Sequence, residues 1–91
     1  MDSLEKEVLL ADVKTMLMIT GTFHDPAISL YIDEALDYMK GAGVAEEIAE
    51  KSTGVIAGIV NDLMTGESGK GEISPFLKQR VIQLTYRKAG E

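Results

Sequence analysis

The sequence predicts an all-α protein, a compact bundle of four main helices, and three observations predict it. Apolar residues return at three- and four-residue spacings in successive segments, which is the period of a helix with one buried face. Helix-opening and helix-closing residues fall at the ends of those segments. No segment sustains the period-two alternation of a half-buried strand, and no internal repeat is visible.

The first helix spans Leu4 to Met18, marked by Leu4, Val8 and Ala11 together with Leu10, Val13 and Leu17, and Gly21 ends it. Asp25-Pro26 then predicts a fresh start, with the Asp25 carboxylate as N-cap and the proline at the first helical position, where its missing N–H costs nothing. The buried stripe of this second helix is Ile28, Ile32, Ala35, Leu36 and Met39, with Tyr31 and Tyr38 near its edge, and Gly41-Ala42-Gly43 closes it. A short extra helix over 45–51 precedes a break at Ser52-Thr53-Gly54. The third main helix follows, with Val55, Ile56, Ile59, Val60 and Leu63 facing inward. Gly54 and Gly58 stack one turn apart in it, on a side where another backbone can come close. Residues 65–73, with Gly66-Glu67-Ser68-Gly69-Lys70-Gly71 at their centre, are expected to form a flexible loop. Ser74-Pro75 repeats the cap-plus-proline signal, and Phe76, Leu77, Val81, Ile82, Leu84 and Thr85 supply the apolar side of the last helix.

A chain of 91 residues makes one domain, 1–91, with a thin core. Its 45% hydrophobic and 26% charged residues are globular in proportion, and the absence of Cys excludes disulfides and thiolate metal sites. The acidic start lacks the order of a secretory signal, and no stretch approaches the ~20 apolar residues of a membrane span, so a soluble intracellular protein is expected. A net charge of −6 argues against sequence-independent nucleic-acid binding. The charge is uneven: residues 1–69 hold thirteen acids and four bases, and residues 70–91 two acids and five bases. The body is acidic and the last helix basic.

No enzyme chemistry is expected. His24 is a lone loop histidine with Asp25 beside it but no assignable nucleophile, and one His without Cys cannot complete a familiar zinc set. Asp33, Glu34 and Asp37 lie within about a turn of each other on the second helix. They suit a solvated face or a surface for basic partners better than an acid/base pair, because nothing separates their protonation. The glycine-rich loop fails the spacing of a phosphate-binding loop and follows a helix where that motif needs a strand. Asp2-Ser3-Leu4 matches the phosphopantetheine triplet of acyl carrier proteins, but there the serine opens the second helix, so no cofactor is assigned. Lys78, Arg80, Arg87 and Lys88 make the last helix basic, with Arg87 and Lys88 favoured near its C-terminal end by the helix dipole.

Three blocks carry a resemblance. They are Leu10-Ala11-Asp12-Val13-Lys14 through Thr20-Gly21-Thr22; Tyr31-Ile32-Asp33-Glu34-Ala35 through Gly41-Ala42-Gly43-Val44; and Gly54-Val55-Ile56-Ala57, Val60-Asn61-Asp62-Leu63 and Ile73-Ser74-Pro75-Phe76 through Leu84. In this order they resemble the small head-tail connector (adaptor) proteins of long-tailed bacteriophages and prophages. The resemblance implies a non-enzymatic virion protein at the head-tail junction, made in the host cytoplasm. It also implies a ring of identical subunits below the portal that touches portal and tail-completion proteins and lets DNA pass non-specifically, away from membranes. Because a ring joins unlike faces of neighbouring subunits, Asp33, Glu34 and Asp37 are expected to meet Lys78, Arg80 and Arg87 of the next copy. The alternative is a small helical protein-binding module with a regulatory role.

Overall fold

The computed structural model describes residues 3–65 and 73–87, so Met1, Asp2, the glycine-rich segment 66–71 and Lys88 lie outside the described residues. Five helices are formed: α1 (Ser3–Met16), α2 (Asp25–Gly41), α3 (Glu46–Lys51), α4 (Thr53–Thr65) and α5 (Pro75–Thr85). Four are long and one is short, and no strand occurs among the described residues. The expected all-α bundle is the fold observed.

The core is a single cluster centred on α2 and α4, with α4 packed against each of the other helices. Ile28, Ile32, Ala35 and Met39 of α2 are fully buried, and so are Ile56, Ile59 and Val60 of α4. Tyr31 is half-buried at the margin of this cluster, as expected, and Leu36 and Leu63, expected inside, are half-buried there too, because each lies at the edge of its helix's contact arc. No polar or charged side chain is buried among the described residues, so apolar packing holds the domain together.

α2 closes by the expected glycine device. Gly43 takes φ +100°, its N–H donates to the Lys40 carbonyl, and the Val44 N–H reaches back to the Met39 carbonyl at 2.9 Å. Val44 and Met39, joined by that bond, are both buried, so the cap also adds apolar contact to the core. α1 stops in the same way but earlier than expected. Met18, not a glycine, occupies the left-handed position at φ 59°, with the Ile19 N–H donating to the Lys14 carbonyl at 2.9 Å. Gly21, at φ +79°, serves the turn that follows.

Asp25 is not an N-cap. It is the first residue of α2, preceded by His24, whose side chain caps nothing. Its Oδ1 atom is shielded from solvent and faces the Lys14 ammonium at 2.7 Å, in ion-pair rather than hydrogen-bond geometry. The same ammonium donates to the Gly21 carbonyl, so one lysine ties α1, the turn and α2 together. Ser52 separates α3 from α4 with a single residue. Its hydroxyl donates to the Ile48 carbonyl at 2.6 Å, ending α3, while its own carbonyl accepts from Ile56 and opens α4.

α5 starts as expected, with Ser74 Oγ accepting from the Leu77 N–H at 3.3 Å and Pro75 in the first turn. The Ser74 N–H also donates to Asp62 Oδ2 at 2.9 Å, which fastens the start of α5 to α4. Of the two stacked glycines only Gly58 is needed for packing, and what comes close is a side chain and not the expected backbone: a Cβ there would lie 2.7 Å from a Leu77 methyl, whereas at Gly54 the nearest atom, of the Met16 side chain, is 3.8 Å away.

The outer helices depart from expectation. In α1 the buried residues are Leu9 and Val13, with Leu10 and, just past the helix end, Leu17 half-buried, while Leu4, Val8 and Ala11 face solvent. In α5 a narrow stripe of Leu77, Val81 and Leu84 meets α4, Thr85 is half-buried, and Phe76 and Ile82 are exposed. A helix at the margin of a bundle has one contact arc, and apolar residues outside it stay wet whatever their spacing.

Candidate assembly surfaces

The six charged residues singled out by sequence are all exposed, and the fold sorts them differently from the linear order. Asp33 and Asp37 lie on the α3 side of α2, where with Lys40, Glu46 and Glu50 they rim a cleft of about 210 Å³ floored by Leu36 and Ala49. Asp33 is already engaged within the chain by the Lys6 ammonium of α1. Glu34 points the other way. It shares a cleft of about 280 Å³ with Tyr38, Leu63, Ile73 and Lys78. Glu34 and Lys78, expected on facing surfaces of two subunits, thus line one cleft of the same subunit.

Arg80 on α5 and Arg87, two residues past its end, remain together at one cleft. They border an open cleft of about 510 Å³ between α5 and the α3–α4 junction, with Phe76 at its mouth and Lys51 joining from α3. Arg80 Nη1 donates to Gln83 Oε1 at 2.9 Å, which orients the guanidinium along the helix. Sequence reasoning missed Lys51, because nothing linear connects the end of α3 to α5. The i,i+7 spacing of Arg80 and Arg87 was the available signal for the rest.

Three groups of large apolar side chains stand in solvent. α1 presents Leu4, Val8 and Met16; α5 and its C-cap present Phe76, Ile82 and Tyr86; the α1–α2 connection presents Met18 and Phe23, with Leu30 on α2 beyond it. His24 packs edge-on against the Phe23 ring, with centroids 4.9 Å apart, as part of this last group. Among the described residues no three His, Cys, Asp or Glu side chains converge as a metal site, and no helix is long and apolar enough to cross a membrane. The surface carries a mainly acidic area on α2 and α3 and a basic one at α5, which meet where Glu34 and Lys78 share a cleft, with exposed apolar side chains nearby.

A family model described as phage gp6-like head-tail connector protein matches residues 7–89. No curated protein and no solved structure matches the chain. The match begins within α1 and runs through α5, so it takes in all of α2 to α5 and α1 from residue 7 onward. The chain belongs to the phage gp6-like head-tail connector family, structural proteins of the virion head-tail junction that contact other head and tail proteins.

Proposed function

We propose that the chain assembles, in the host cytoplasm, into a homo-oligomeric ring that seats below the portal and forms part of the channel by which DNA leaves the head. The family match over 7–89 carries this reading. The surface supports it: a ring needs two unlike, complementary faces on one subunit, and here the basic residues gather on α5 while the rest of the chain is acidic. An acidic body also suits a conduit, since it repels phosphates and gives DNA no place to stick. Arg80 and Arg87 are the strongest of the proposed interface residues, with Lys78 beside them. Asp33, Glu34 and Asp37 are the acidic candidates, but Asp33 must share its carboxylate with Lys6.

The test is to mix the chain with purified portal and image the product by negative-stain electron microscopy. Ring-shaped density stacked on one end of the portal is the expected result. A complex with one copy of this chain per partner, and no ring, would instead support the small regulatory binding module.

A further inference from the structure

α1 is apolar on two opposite sides, and only one of them is used. Leu9 and Val13 face the core, while Leu4, Val8, Ala11 and Thr15, at i, i+4, i+7 and i+11, form an exposed stripe along the other side. The charges on α1 are divided in the same way. Both of its lysines turn inward, Lys6 to Asp33 and Lys14 to Asp25, leaving Glu7 and Asp12 to border the outward stripe. The outward face of α1 is therefore apolar with acids at its borders, Asp12 sharing a cleft with Lys51 and Thr53 of the same subunit.

α5 is its complement. Outward of its buried stripe it shows Gln79, Ile82, Gln83 and Tyr86, flanked by Lys78 on one side and by Phe76, Arg80 and Arg87 on the side of the α3–α4 cleft, and no acid lies between Pro75 and Arg87. Fourteen residues of α1 span about 21 Å and eleven of α5 about 16 Å, so either helix can cover most of the other. We propose that the outward face of α1 in one copy docks on the outward face of α5 in the next, with Leu4 and Val8 against Ile82, Tyr86 and the edge of Phe76, and with Glu7 and Asp12, in place of the acids of α2, reaching Arg80 and Arg87 at the margin. Apolar side chains with Gln79 and Gln83 form the middle of this contact and opposite charges its rim, the arrangement of a specific interface. Because the two faces differ, the contact repeats from subunit to subunit; its closure into a ring rests on the function proposed above.

The chain has no cysteine, which makes cross-linking clean. Ala11→Cys and Gln79→Cys, both at exposed positions, place one thiol on each outward face. The full chain carrying both, assembled with portal and treated with a short bismaleimide, is expected to give a ladder of several rungs on a denaturing gel. A mixture of the two single variants should stop at dimers, and either alone should give monomer. Adding Val8→Glu to the double variant should abolish the ladder while leaving its circular-dichroism melting curve in place. Dimers from Ala11→Cys alone would mean that α1 meets α1, which overturns the proposal. Rings visible by microscopy without a ladder would overturn it and leave the ring intact, as expected if another virion protein covers these faces. Absence of both rings and ladder would defeat this contact and the ring together.

Discussion

The central pair of helices and the outer pair use apolar sequence in different ways. α2 and α4 bury nine side chains between them and α1 and α5 only five, although all four carry apolar residues at helical spacing. In the central pair nearly every apolar residue has a partner inside the subunit. In the outer pair Leu4, Val8, Phe76 and Ile82 stay more than half exposed, and they lie beside charges of opposite sign on the two helices. Apolar periodicity thus reports what a helix can bury, while its place in the bundle decides what it does bury within one chain.

The sharpest way to break this contrast is to cut into the centre. Ile56→Ala removes a fully buried side chain where the packing cannot close, and is expected to cost about 3–4 kcal/mol, measurable as a lower urea midpoint. Lys14→Met leaves the shielded Asp25 oxygen without its counter-ion and frees the Gly21 carbonyl. A loss of about 1–2 kcal/mol is expected, less than a full buried pair because both side chains keep some water. A loss below the error of the melting experiment would show that the tether is only a surface pair. Val8→Ser and Phe76→Ser should change monomer stability by no more than about 0.5 kcal/mol. A drop as large as that of Ile56→Ala would place these residues in the core and erase the distinction between inner and outer helices.

The fold was legible where a residue type has one dominant local use. Ser74-Pro75 opened α5 and Gly43 closed α2 because a hydroxyl cap and a left-handed glycine act through the backbone beside them. Asp25 was misread because a carboxylate before proline has two outlets, and tertiary structure supplied the stronger one in Lys14. The charged surface was half legible. Their spacing brings Arg80 and Arg87 to one cleft, but no linear rule sends Glu34 toward Lys78, Asp33 toward Lys6 or Lys51 toward the arginines. Those placements depend on how three or more helices pack.

The joint between α1 and α2 is sprung. Met18 holds a left-handed backbone that costs an L-residue about 1–2 kcal/mol, and its side chain, 88% exposed, recovers little of that inside the subunit. The lysine clasp from α1 to the turn and to α2 works against this load. α1 is also held by Leu9 and Val13 in the core and by Lys6 on Asp33, so this strained joint is anchored on both sides, and the outward face of α1 is presented to a neighbour at a fixed angle.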